Sequence, residues 1–122
     1  MISIIDDDLS VREAVKSLVR SLGYEAATFA SAEEYLGADR FRDSECVITD
    51  VQMPGMTGIA LQERLMADGY CRPIILMSAL ENRGTDASRS TVIRFLKKPF
   101  SDERLIDCLD RILKDTVSSR QT

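Results

Sequence analysis

The chain contains no histidine and no tryptophan, and only 6% of its 122 residues are aromatic. Without an imidazole there is no Ser-His-Asp or Cys-His nucleophile, no His-ligated zinc and no phosphohistidine carrier. Chemistry at neutral pH is left to carboxylates, hydroxyls and amines. Cysteine is sparse: Cys46, Cys71 and Cys108 are odd in number and lack metal-type spacing. They read as reduced packing residues of a cytoplasmic protein, Cys46 leading into a strand and Cys108 lying on a helix. No apolar run approaches the ~18 residues of a membrane span, and Met1 leads directly into the first apolar stretch, so neither an anchor nor a signal peptide is expected. The net charge of -4 argues against a nucleic-acid surface on this domain. What remains is 44% hydrophobic residues, enough for one core in one domain.

The stretch 46–58, Cys-Val-Ile-Thr-Asp-Val-Gln-Met-Pro-Gly-Met-Thr-Gly, organises the rest. Apolar and β-branched residues run straight into Asp50, and a Pro-Gly turn follows at once. The pattern is a buried strand that ends in a carboxylate, with Gly58 opening a helix. Upstream, Ile2 to Ile5 is a short strand ending in Asp6-Asp7-Asp8. Ser10 and Glu13 read as a capping box that starts a first helix, with Val11, Ala14, Val15, Leu18, Val19 and Leu22 inward and Gly23 closing it. Tyr24 to Phe29 is a weak strand, and Ser31 to Glu34 is a second capping box before a short helix that stops near Gly37.

Ile59, Leu61, Leu65 and Met66 mark a third helix closed by Gly69. The apolar run from Pro73 to Ser78 is the pattern of a strand covered on both faces. Residues 81–90 are polar, so a fourth helix there is expected to be short. Val92 to Leu96 is the fifth strand, Ser101 caps a last helix, and Thr116 to Thr122 is a polar tail or linker. Strand and helix alternate five times, which predicts an α/β fold: a doubly wound, flavodoxin-like parallel sheet of five strands, order 2-1-3-4-5, with helices on both faces.

In that order Asp6 and Asp7, Asp50, Ser78 and Lys98 fall on one edge of the sheet, where α/β folds bind ligands. Crowded carboxylates raise a pKa, recruit a cation, or both. Hard oxygen donors at an exposed site favour Mg²⁺. A strand-end aspartate caps a turn about as often as it does chemistry, a lysine before a turn is usually solvated, and Ser78 alone could bond its own backbone. Together they are equipment for carrying a phosphoryl group on Asp50.

These residues resemble the receiver domain of bacterial two-component response regulators, over Ile2 to Leu113. Asp6-Asp7 resembles the acidic pair that binds Mg²⁺, with Asp7 the direct ligand, and Asp50 resembles the phosphoacceptor. The resemblance implies that Gln52 lends a backbone carbonyl to the metal. Ser78-Ala79 resembles the switch hydroxyl and its small neighbour, Phe95 the switch aromatic, and Lys98-Pro99-Phe100 the family's lysine–proline step, whose peptide is usually cis. The central motif and the Lys-Pro-Phe ending are most similar to receivers joined to LuxR-type helix-turn-helix outputs. Implied with them are a receiver over 1–115, a sensor histidine kinase as partner, a homodimer, and DNA contact only through a separate output domain. The module is implied to be a phosphoacceptor that assists its own phosphorylation and dephosphorylation, not an enzyme. Departures are a shortened segment between Ser78 and Lys98, Ser90-Thr91-Val92 where the family has Ala-Gly-Ala, serine for the commoner threonine, and Phe95 in place of a tyrosine.

Three other functions use parts of this equipment. A haloacid-dehalogenase-type phosphohydrolase also has an aspartate nucleophile and Mg²⁺, but needs a second acid where Gln52 stands. A flavodoxin-like cofactor binder wants a Gly/Ser/Thr-rich phosphate loop after the first strand, where the charge is wrong. A pseudo-receiver that only docks a partner has no use for the intact acid set.

Overall fold

Unbroken runs of β-branched and apolar residues become the strands, and segments apolar at every third or fourth position become the helices between them. The computed structural model describes residues 1–38, 44–79 and 93–121, the side chains of 114–121 excepted. The elements are β1 (Ile2–Ile5), α1 (Leu9–Ser21), β2 (Ala26–Phe29), α2 (Ala32–Ala38), β3 (Cys46–Asp50), α3 (Gly58–Ala67), β4 (Ile74–Ser78), β5 (Ile93–Lys97) and α4 (Asp102–Gln121). Every strand pair is parallel and the order is β2-β1-β3-β4-β5, as the alternation predicts. The helix expected over 81–90, Leu80 and Ser90-Thr91-Val92 lie outside the described residues.

Side chains of the central strands alternate between two cores. Ile2, Ile4, Cys46, Ile48, Ile75 and Met77 pack with Val15 and Val19 of α1 and with Leu105, Leu109 and Ile112 of α4. On the other face Ile5, Val47, Ile74 and Leu76 meet Tyr35 of α2 and Leu61 and Leu65 of α3. Both faces of β1, β3 and β4 are therefore covered, which is why these strands are buried throughout. Each such aliphatic side chain contributes about 1.5–3 kcal/mol by leaving water. Polar groups inside are paired: the Ser3 and Ser44 hydroxyls lie 2.6 Å apart, and Tyr35 reaches Ser44 Oγ at 2.9 Å.

Three local expectations are corrected. The first concerns the start of α1, which Asp8 caps in place of Ser10. Its extended backbone lets the carboxylate accept from the Ser10 amide at 2.8 Å and the Val11 amide at 3.4 Å. A carboxylate also complements the positive end of the helix better than a hydroxyl does. Second, Ala14 and Met66, assigned to inward faces, are exposed. The i, i+4 pairs Val15–Val19 and Leu61–Leu65 define the buried stripes, and their neighbours turn away. Third, α4 does not stop where the apolar pattern ends but continues through the polar residues to Gln121. No glycine or proline stands between Ser101 and Thr122 to end it. The expected caps at Ser31 and Ser101 are present: their hydroxyls accept from the Glu34 and Arg104 amides at 3.0 and 3.2 Å.

Candidate functional site

Parallel register sets which residues meet at the carboxyl edge. Ile5 lies opposite Thr49, so the next residue of the first strand, Asp6, stands beside Asp50. Asp50 lies opposite Met77, and Ser78 opposite Lys97, so each strand delivers its polar residue one step further along. The Lys98 amide donates to the Ser78 carbonyl at 2.7 Å, which ties the β5–α4 turn to the end of β4. The Lys98–Pro99 peptide is cis.

At the centre, the Lys98 ammonium lies 3.0 Å from Asp6 Oδ2 and 3.3 Å from Asp50 Oδ1. Asp6 is fully buried and Asp50 is 5% exposed, whereas Asp7 faces solvent. The other Asp6 oxygen accepts the Asp8 amide at 2.9 Å, and its carbonyl accepts from Arg12 Nη1 at 2.8 Å. Burial, and then the Asp6 charge, push the Asp50 carboxyl above the usual carboxylate range. Lys98 and the Gln52 amide, which donates to the carboxylate, pull it back only in part. Burial lowers the Lys98 ammonium, but the hydrogen bond and charge of Asp6, with those of Asp50 behind them, outweigh it and hold the amine above its ordinary value. Lys98 is therefore a fixed cation between two carboxylates.

One oxygen from each of Asp6, Asp7 and Asp50 lies within 4.8 Å of the others. An octahedral ion with bonds near 2.1 Å spaces its ligands by roughly 3–4.2 Å, so a small closure suits the set to Mg²⁺. All donors are hard oxygens, and the exposed Asp7 side leaves room for the waters this ion retains.

The turn after β3 is held by close backbone packing. The Gly58 amide donates to the Val51 carbonyl at 2.9 Å, and Thr57 caps α3 through the Ala60 amide at 3.1 Å. A Cβ on Gly58 would overlap the Asp50 carbonyl oxygen and stand 2.9 Å from Val51 Cα. Glycine is needed here because the helix starts directly against the residue that carries the site.

The family model for the response regulator receiver domain matches residues 2–110. The chain belongs to the response regulator receiver family. It is 34% identical over 112 residues to the transcriptional regulatory protein TdiR of Thauera aromatica, covering 90% of this chain and 49% of that protein. It is 32% identical over 115 residues to FixJ of Bradyrhizobium diazoefficiens, covering 93% and 56%. The solved response regulator StyR superposes with a TM-score of 0.84 at 37% identity, over 98% of this chain and 62% of that one. The receiver thus spans about half the length of the curated relatives it matches. It is a module of two-component phosphorelay signalling. Among the described residues, no helix is long and apolar enough to cross a membrane.

Of the residues singled out in the sequence, Asp6, Asp7, Asp50 and Lys98 form one cluster in the receiver. Ser78 stands one rung beyond the partner of Asp50 and is buried. Gln52 is exposed and meets Asp50 through its amide. Phe95 is set apart from the acids: it pairs with Leu76 in the sheet and packs half-buried against the core on the α2–α3 face. Strand alternation nevertheless puts Phe95 and Ser78 on the same face, two rungs apart. Arg12 was not singled out, although it holds the Asp6 carbonyl. Its position in the first turn of α1, facing an acidic strand end, is the signal that could have found it.

Proposed function

We propose that Asp50 is the phosphoacceptor of this receiver, with Asp6, Asp7, Asp50 and the Gln52 carbonyl as the Mg²⁺ ligands. The observation that carries the reading is Lys98, whose ammonium lies within 3.3 Å of both buried carboxylates. When bound, the metal neutralises charge on the transferring phosphoryl oxygens. An Asp50 oxygen attacks phosphorus in line; the new P–O bond forms as the P–N bond to the donor imidazole breaks, and the imidazole leaves with a proton. Lys98 moves its contact from the carboxylate to a phosphoryl oxygen, and the Ser78 hydroxyl donates to another. As Ser78 moves toward the phosphoryl group, Phe95 turns into the space on the shared face, and the surface near β4 and β5 changes.

Charge-assisted hydrogen bonds contribute about 1.5–3 kcal/mol each. Inverting a population from 1:99 to 99:1 takes about 5.5 kcal/mol. Ser78 alone is therefore insufficient, and Lys98 and the backbone after Ser78 must supply differential contacts. The donor is a sensor histidine kinase, and the module both accepts and helps release its phosphoryl group. The receiver occupies 1–115, with 116–122 a polar tail or linker, α4 running on through Gln121. It acts in the cytoplasm, pairs as a homodimer, and reaches DNA only through a separate output domain. The test is incubation with acetyl phosphate and Mg²⁺ followed by intact mass and peptide mapping. One acid-stable, base-labile phosphoryl group on Asp50 is expected. Label elsewhere, or equal label in Asp50→Asn, would overturn the assignment.

A further inference from the structure

The turn between β3 and α3 is anchored at both ends but thinly held in its middle. Val51 bonds the Met77 carbonyl at 2.8 Å, the Met53 side chain is buried, and Thr57 is fixed as the cap of α3. Between them stand Pro54 and Gly55, both exposed, and Met56, half-buried against the α2–α3 core. Here a side chain reaches in from another element: Glu33 Oε2, in the first turn of α2, accepts the Met56 amide at 3.2 Å. Gly55 makes the approach feasible. Its φ of +76° turns the chain tightly, and a Cβ there would stand 2.5 Å from the same Glu33 oxygen. The contact and the missing side chain therefore go together.

We infer that Glu33 is a positioning residue for this turn, and through it for Gln52, setting metal affinity and the rate of phosphoryl uptake. The inference rests on the proposed reading of Asp50 and Gln52. Its physical basis is the lever between the two contacts. Gln52 meets Asp50 through its amide and is expected to turn its carbonyl to the metal, and Met56 lies four residues further along the same short turn. Releasing Met56 lets the middle of the turn move and spreads the orientations open to the Gln52 peptide. Removing groups that orient a metal ligand typically costs 10–100-fold in affinity. Since Glu33 is exposed and acts through the backbone, a smaller factor of about 3–10 applies here.

The full chain is compared with Glu33→Ala and Glu33→Gln by three measurements: Met56 amide exchange by NMR without metal, Mg²⁺ affinity by calorimetry, and phosphorylation by acetyl phosphate. Glu33→Ala should speed Met56 exchange about tenfold and weaken Mg²⁺ binding and phosphorylation about 3–10-fold, with the urea midpoint falling by no more than about 0.5 M. Glu33→Gln keeps an acceptor oxygen and should restore all three. Equal loss in Glu33→Gln and Glu33→Ala would show that charge, not the hydrogen bond, matters, and would overturn the inference; so would unchanged Met56 exchange in Glu33→Ala. If wild type accepts no phosphoryl group on Asp50, the reading of the site fails, whereas Met56 exchange still decides whether Glu33 holds the turn.

Discussion

Replacing Gly58 with alanine sets two physical effects against each other. Alanine is favoured over glycine by up to about 1 kcal/mol inside a helix, and by less at its first residue, where Gly58 stands. Against this, the added Cβ would overlap the Asp50 carbonyl oxygen and lie 2.9 Å from Val51 Cα and 3.0 Å from the Asp50 carbonyl carbon. Carbon atoms settle at about 3.5–4.0 Å from one another. Every one of these neighbours is backbone, so no side chain can swing aside. Either the start of α3 or the end of β3 must withdraw by roughly 0.5–1 Å. Overpacking of this kind costs about 1–3 kcal/mol, and the net loss after the propensity gain is about 1–2 kcal/mol.

With a urea slope near 2 kcal/mol/M, the Gly58→Ala midpoint falls by about 0.5–1 M. The displaced atom belongs to Asp50 itself, and misplacing a reacting group by 1 Å costs about 10²-fold in rate. Phosphorylation by acetyl phosphate should therefore drop far more than stability does. Gly69→Ala is the control: its φ of +93° strains any side chain, but nothing lies within 4 Å of the added carbon. That variant should lose about 1 kcal/mol and keep its phosphorylation rate. A Gly58→Ala protein as stable as wild type, phosphorylated at the normal rate, would refute the steric reasoning.

Lys98→Ala leaves Asp6 and Asp50 facing each other without their shared cation, and should cost on the order of 2 kcal/mol without metal; Mg²⁺ should recover most of it in thermal melts, and a metal-independent loss would contradict the bridging role. Because burial and Asp6 hold the Asp50 carboxyl above its usual range, the folded state keeps that proton longer than the unfolded chain does. Metal-free wild type should thus lose stability relative to Asp50→Asn as pH rises from the ordinary carboxylate range through the raised value, and a pH-independent difference between their urea midpoints would exclude this. Ser78→Ala should still accept phosphoryl on Asp50 but lose most of the chemical-shift change that phosphorylation causes around Phe95; a full change would break the proposed coupling.

The strands were legible because both faces of β1, β3 and β4 are covered, leaving unbroken apolar runs such as Ile74 to Met77. The acids were legible for a related reason: a carboxylate placed directly after such a run has only the sheet edge to occupy. The cap of α1 was less so. Asp8 and Ser10 are both competent caps, and the choice follows from the Asp8 amide being drawn onto Asp6 Oδ1. The pull of Arg12 on the Asp6 carbonyl and of Glu33 on the Met56 amide are contacts between elements, one of them 23 residues apart in sequence, and no local period reports them. The extension of α4 past Leu113 was hidden because the apolar period ends before the helix does.

The charges at the site also impose an order of events. Among the described residues, the Asp6, Asp7 and Asp50 cluster holds one ammonium, that of Lys98, leaving a net charge near -2 where, on the proposed reading, an anionic phosphoryl donor approaches. Repulsion at contact distance makes that approach unfavourable until a divalent cation cancels the excess, so the proposed transfer is expected to follow metal binding. On that reading, transfer would replace a carboxylate by an acyl phosphate and return about one negative charge to the cluster. Lys98 contacts both carboxylates and its amide is bonded to the end of β4, so on the proposed reading the new charge meets a cation tied to that strand. The residue proposed to offset the phosphoryl charge thereby adds a bond to the end of β4, just past the last paired residue of β5. We propose that a change of one charge at Asp50 reaches the end of β4, where Ser78 stands, through this contact.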